Sequence, residues 1–304
     1  MLRQAENRCK IEGILSEINL EPKTFKKNGK DVDAIGGNIV VKVTQKISGA
    51  EKELMIPVFM FSAKLTNAGK PNPAYESIKT VMDSFRSIAS TGDEETADRI
   101  RITNANVRMN EYYAQDGHLI SFPRIHASFV SRISKQDCKP EATFSIQFAV
   151  ASAADEIKND EPTGRYKVNA LLPQYGGKVD VVPLYAESDG VISAISTYWE
   201  VGQTYKANGR LDFSSTTEVT YEEVDFGEPV EKIRTTNKSD LIITGGSQEP
   251  FEGEFAFAEA DLNAALADRK ARLEAQKDKD MTAKVPNMAA PPQASKTGFK
   301  DLGF

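Results

Sequence analysis

Apolar and polar positions alternate in short runs over most of the chain, the period of half-buried strands. Ile11, Ile14 and Ile18 mark a first strand over Lys10–Leu20. Glu21–Lys30 follows, with four lysines, Phe25 and an Asn28-Gly29 turn, and reads as a loop. Ile39, Val41 and Val43 share one face of a second strand, Asn38–Lys46. In a third, Leu54–Phe61, one face carries Leu54, Ile56, Val58 and Met60, and the other Met55, Pro57, Phe59 and Phe61. At Asn72-Pro73 the period changes. Asn is a good N-cap and Pro fits the first helical position. Tyr75, Ile78, Met82, Phe85 and Ala89 then recur at helical spacing. Arg99–Asn110 is a fourth strand, Asp116-Gly117 predicts a hairpin turn, and His118–Ser134 is the return strand.

Three strands, a helix and a two-strand hairpin are the element order of a five-stranded OB barrel. The order recurs less clearly downstream: Thr143–Ala151, Arg165–Leu172 and Lys178–Tyr185 as strands, Val191–Trp199 as a helix, Thr204–Thr220 as a strand, Tyr221–Glu231 as an acidic loop and Leu241–Thr244 as a closing strand. Met55-Ile56-Pro57-Val58-Phe59 parallels Val181-Val182-Pro183-Leu184-Tyr185, and Cys9-Lys10-Ile11-Glu12 parallels Cys138-Lys139-Pro140-Glu141. Proline inside a strand is confined to edges and bulges, so its recurrence favours duplication. The expected fold is mainly β: two tandem OB-like five-stranded barrels, each with an inserted helix, plus a helical and disordered C-terminal tail. The expected units are 1–134, 135–257 and 258–304. In the last, Asp261–Gln276 reads as a helix with a thin apolar stripe, and the remainder as disordered.

Composition narrows the function. Mean hydropathy is −0.42 and no apolar run is long enough to span a bilayer. The polar start Met1–Lys10 predicts no secretory signal, and two cysteines, Cys9 and Cys138, exclude a disulfide scaffold, so a cytoplasmic setting is expected. Net charge is −6 but uneven: 1–134 carries +3, 135–257 carries −10 and 258–304 carries +1. There is no P-loop, no glycine-rich dinucleotide signature, no HExxH and no CxxC. His118 and His126 read as satisfied surface or sheet residues, and Asp93-Glu94-Glu95 as a solvated acidic loop. Neither catalysis, nor a cofactor, nor a metal is expected.

A single strand is held by cations along its phosphates and by aromatic faces under its unstacked bases. The first unit offers both: Lys23, Phe25, Lys26, Lys27 and Lys30 between strands one and two, Lys42 and Lys46 on strand two, Phe59 and Phe61 on strand three, Arg108, Tyr112 and Tyr113 entering the hairpin, and Phe122 and Arg124 leaving it. Phe59 and Phe61 are equally consistent with packing, and the lysines with a solvated loop. Tyr112 and Tyr113 are hard to bury together. The second unit supplies Tyr166, Tyr175, Tyr185, Trp199 and Tyr205, but its charge opposes phosphate, and Trp199 reads as core.

With the hairpin Arg108-Met109-Asn110-Glu111-Tyr112-Tyr113-Ala114-Gln115-Asp116-Gly117 and a tail ending Leu302-Gly303-Phe304, the chain resembles bacterial and phage single-stranded DNA-binding proteins, a phage-encoded variant fitting best. It departs from the family in its two barrels and in a tip whose one acid, Asp301, stands beside Lys300. The resemblance implies a non-enzymatic binder of single-stranded DNA in replication and recombination. It also implies that Phe299, Asp301, Leu302 and Phe304 recruit partner proteins. Homo-oligomerisation is left open, and no membrane partner is expected. The alternative is a phage structural or assembly protein that uses the same β-rich domains for protein contacts.

Overall fold

A computed structural model describes residues 2–222 and 230–282. The tail residues Phe299, Asp301, Leu302 and Phe304, and most of the predicted acidic loop, lie outside the described residues. The fold is mainly β, with a helical C-terminal region.

The first run comprises β1 (Asn7–Lys27), β2 (Lys30–Ile47), β3 (Ala50–Ala63), the helices α1 (Pro73–Ser84) and α2 (Ile88–Thr91), then β4 (Arg99–Tyr113), β5 (Leu119–His126) and β6 (Ser131–Ile133). Pairing closes it into a ring in the order β1-β2-β3-β5-β4-β1, with β3 and β5 parallel. The second run repeats it. Strands β7 (Glu141–Lys158), β8 (Glu161–Pro173) and β9 (Val179–Ala186), helix α3 (Asp189–Tyr198), and strands β10 (Thr204–Glu222) and β11 (Val230–Gly246) close in the order β7-β8-β9-β11-β10-β7. An antiparallel ladder between β1 and β7 joins the rings into one sheet. Helix α4 (Glu259–Thr282) follows and packs on β4 and β9.

The predicted inner faces are the core. Ile39, Val41, Val43, Leu54, Ile56, Val58 and Met60 are fully buried, and removing each side chain from water contributes roughly 1.5–3 kcal/mol. Pro57 and Pro183 each stand just ahead of the parallel pairing of their strand, at Val58 and Tyr185 respectively, so neither proline interrupts a second ladder. The cysteine match has no such counterpart: Cys9 is inside β1, whereas Cys138 lies in the connection before β7. Asn72 caps α1 through a bond from Ala74 N–H, with Pro73 at the first position.

Four elements differ from expectation. Glu21–Lys27 is strand, not loop: β1 and β2 run on as a hairpin arm that turns only at Asn28 and Gly29, both at positive φ. The predicted helix breaks after Ser84, because Phe85 is extended and Ser87 starts α2 with a reciprocal capping pair to Ser90. The return strand is interrupted between His126 and Ser131. The second-unit hairpin is longer than read, since β10 runs to Glu222 and β11 resumes at Val230.

Candidate nucleic-acid interface

The ladder registers decide which side chains meet on the outside of the first ring. Asn38 pairs with Phe59 and Gly36 with Phe61. Phe59 pairs in parallel with His126, and counting back along the hairpin Asn106 opposes His126, Arg108 opposes Arg124 and Asn110 opposes Phe122. Successive outward positions on a strand lie on one face. The result is a row of rings. Phe25, on the arm, meets Phe61 at 5.8 Å. Phe59 meets His126 at 5.0 Å, and the Arg124 guanidinium lies 4.8 Å from the Phe59 ring and 5.9 Å from Phe122. Gly36 makes room for the row: a Cβ there would come within 2.7 Å of the Phe61 ring.

Beside the rings runs an open groove of about 560 Å³, lined by Phe59, Phe61, Asn104, Asn106, Arg108, His126 and Phe129 among others. Phe61 is 43% exposed and Phe129 57%. Neither Arg108 nor Arg124 makes an ion pair among the described residues, though the charge of Arg108 acts on the nearby Asp180 carboxyl. Burial, together with the positive charges of Arg108 and Arg124, pushes the His126 imidazole down to about 4, so at neutral pH it is an uncharged flat ring. Asn106 Oδ1 is buried with no hydrogen-bond partner among the described residues. The groove thus offers flat apolar faces, the Arg108 guanidinium and an unsatisfied amide oxygen, with the Arg124 guanidinium on the rings beside it, and its lining holds no carboxylate.

Not every predicted residue belongs to this face. Phe25, Phe59, Phe61, Arg108, Phe122 and Arg124 are brought together, and exposed Tyr112 continues their side of β4. Lys23 reaches over Gly36 beside Phe61 and pairs with Glu21 at 3.0 Å. Lys26, Lys27 and Lys30 stand at the arm's tip, exposed, with Lys27 bonded to Asn67. Lys42 is set apart from them: its ammonium is held between Glu53 at 2.7 Å and Glu94, whose hydrogen bonds raise its pKa. Lys46 opposes Glu51 at the other end of β2, about 26 Å along the strand from Asn38. Tyr113 alternates to the opposite side and lies under Lys277 of α4.

Sequence reasoning missed Asn104, Asn106, His126 and Phe129. The hairpin turn carries the signal for two of them, since pairing outward from Asp116-Gly117 places Asn106 and His126 opposite each other on the Arg108–Arg124 face.

The second ring carries the matching positions with opposite charge. Tyr185 takes the place of Phe59, paired in parallel with Ile242, and Ile242 opposes Arg210. Two residues along, where the first ring has Arg108 opposite Arg124, the second has Asp212 opposite Asp240. These acids are already occupied. Arg165 lies 3.9 Å from the Tyr185 ring and pairs with Asp240 at 2.8 Å and Glu156 at 3.1 Å. Lys52, from the first ring's β2–β3 hairpin, pairs with Asp212, which also holds Lys238 at 2.9 Å. Burial pushes the Asp212 carboxyl up, but the hydrogen bonds from Lys52 and Lys238 outweigh it and leave it below its usual value. Trp199 is packed against Phe148 and Tyr205, its indole N–H bonded to the Ser247 carbonyl at 2.8 Å.

Among the described residues no cluster of three or more His, Cys, Asp and Glu could hold a metal ion, and no helix is long and apolar enough to cross a membrane. Fold and site together define a tandem barrel protein with an aromatic, cationic outer face on its first ring. The chain belongs to the YorF family, whose model matches residues 5–279. A search of curated proteins finds no match to it. Among solved structures it is similar to the single-stranded DNA-binding protein of Thermus aquaticus. A deletion mutant of that protein is 12% identical at a TM-score of 0.48, over 82% of this chain and 97% of that one. The wild type is 12% identical at 0.45, over 83% and 96%.

Proposed function

We propose that the chain binds single-stranded DNA, without catalysis, on the outer face of its first ring. The observation that carries this reading is the row Phe25–Phe61–Phe59/His126–Arg124–Phe122 beside unpaired Arg108. Rings of this kind stack on any base for roughly 1–3 kcal/mol each, and the guanidinium groups take the phosphates. The lysines at the tip of the β1–β2 arm extend the positive surface. In this reading residues 1–134 form the binding unit and 135–257 a supporting unit, because Asp212 and Asp240 replace the two arginines there and hold cations of their own.

The proposed setting is a cytoplasm, the host's if the gene is a phage's, where the protein coats strands exposed in replication or recombination. The tail beyond α4, through Phe299, Asp301, Leu302 and Phe304, recruits partner proteins. Cutting the chain after Thr282 should then spare DNA affinity and abolish partner capture, and loss of DNA binding by the truncated chain would refute the assignment.

The direct test is anisotropy of a labelled oligo-dT titrated with the full chain at low and moderate salt. Binding at micromolar protein that weakens with salt supports the proposal. No shift at micromolar protein would favour the second reading, a structural or assembly role. For that role the observation is the set of large apolar side chains left exposed on other surfaces, Ile157, Tyr175, Val201 and Phe255.

A further inference from the structure

The outer surface of β4 continues past the aromatic row. Between Cys9/Ala105 and Ile11/Ile102 the β1–β4 ladder slips by one residue. A bulge of this kind leaves an extra residue unpaired and re-aims its neighbours, and here Thr103 and Asn104 are both exposed. Asn104 lines the groove beneath Phe59 and Phe61. Thr103, its neighbour, lines a second groove of about 400 Å³ that runs over the joint between the rings, with Arg8, Lys10, Thr143, Ser145, Asn208 and Thr244.

The registers make this second groove one face. Arg8 opposes Ser145 and Lys10 opposes Thr143 across the β1–β7 ladder, and Asn208 opposes Ser145 across β7–β10. The residues between them, Cys9 and Phe144, are buried and form the floor of the groove with Gly209. Above that apolar floor the lining is cationic, hydroxyl-bearing and amide-bearing, with no carboxylate. Lys10 is paired with Glu141, whereas exposed Arg8 has no acidic partner among the described residues. From β3 through β5, β4, β1 and β7 to β10 is five steps between neighbouring strands, roughly 24 Å along the surface.

We infer that this seam groove is a second stretch of the strand-binding surface, a proposal that rests on the function proposed above. A strand seated on the aromatic row crosses the β4 bulge and lays its next phosphates against Arg8 and the donors of Thr143, Ser145 and Asn208. The second ring then touches the nucleic acid at the joint. Its own barrel face, where Asp212 and Asp240 stand, stays empty of it. The seam supplies charge and hydrogen bonds but no exposed ring, so it holds backbone and is indifferent to the base.

Length dependence tests this. The full chain is titrated by anisotropy with oligo-dT of about 8 and about 24 nucleotides, bracketing the site sizes of single barrels. The comparison is wild type against Arg8→Glu and Asn208→Asp, with circular dichroism confirming the fold. Expected for both variants is short-oligonucleotide affinity within twofold of wild type and a loss of about tenfold on the long one. For Arg8→Glu the long oligonucleotide's salt slope should also fall by about 0.7, the share of one single-strand phosphate. Equal effects on both lengths, or no effect on either, overturn the seam groove while the aromatic row stands. Failure of the wild type to bind even the short oligonucleotide overturns the row and the seam together.

Discussion

Phe61 is the most informative single position. Its ring is 43% exposed and its one close aromatic neighbour among the described residues is Phe25 at 5.8 Å, so folding owes it little. A surface truncation of this kind typically shifts stability by about 0.5 kcal/mol. If a base stacks on the ring, Phe61→Ala removes roughly 1–3 kcal/mol of binding, about a 5- to 150-fold loss in affinity. No charge is removed, so the slope of log affinity against log salt stays that of the wild type. Phe61→Tyr keeps the flat face and should bind within a few-fold of wild type. Arg108→Ala is the counterpart: it should lower affinity and also flatten the salt slope by about 0.7. Anisotropy of labelled oligo-dT at three salt concentrations reads both quantities, and a melting curve confirms that each variant is folded. A folded Phe61→Ala protein that binds within twofold of wild type would refute stacking at this ring. A flattened salt slope in that variant would show that the ring acts by placing cations.

Two further outcomes follow from the same face and from the joint. His126 stays neutral when folded down to a pH of about 4, while the unfolded imidazole takes a proton near 6.5. The unfolded chain therefore binds more protons between those values, and stability falls as pH drops from about 6.5 to about 4, by about 3 kcal/mol at 1.4 kcal/mol per pH unit. Urea melts across that range should show the loss, and His126→Phe, which keeps a ring against Phe59, should remove most of this residue's share; an unchanged pH dependence in that variant would refute the burial argument. Lys52→Met leaves the nearly buried Asp212 with Lys238 as its one remaining partner, and should cost about 1–3 kcal/mol. Restoration by Asp212→Asn in the Lys52→Met background is expected, and an additive double mutant would disprove the pairing.

Under the proposed function, the charge reversal between the rings explains how a chain of net charge −6 would meet a polyanion. The acids of the second ring are held inward by Arg165, Lys52 and Lys238, and screened charges act over about a Debye length of 8–10 Å. Local pairing therefore matters more than the total. The same pairing ties the first ring's β2–β3 hairpin to the second ring through Lys52 and Asp212.

The sequence alone determined what depends on neighbours in the chain. Period-two alternation marked the inner faces of β2 and β3, Asn28-Gly29 and Asp116-Gly117 marked turns, and Asn72-Pro73 started α1, because burial on one face, positive φ and capping are local requirements. The outward rings Phe59 and Phe61 were legible as well, since they stand opposite the apolar Leu54–Met60 face, whereas Phe25 reads as part of a loop and joins them only because β1 runs on into the arm. Contacts between residues far apart in sequence were decided only in the folded molecule. Lys42 reads in sequence as a free cation, but Glu94, from the segment before β4, pairs with it. His126 looked inert until the parallel β3–β5 pairing set it against Phe59. The seam groove depends on a β1–β7 ladder between strands more than a hundred residues apart. Strand period and turn chemistry are written residue by residue, whereas register between distant strands follows from burying the inner face of every strand of a closed sheet at once, and that condition exists only in three dimensions.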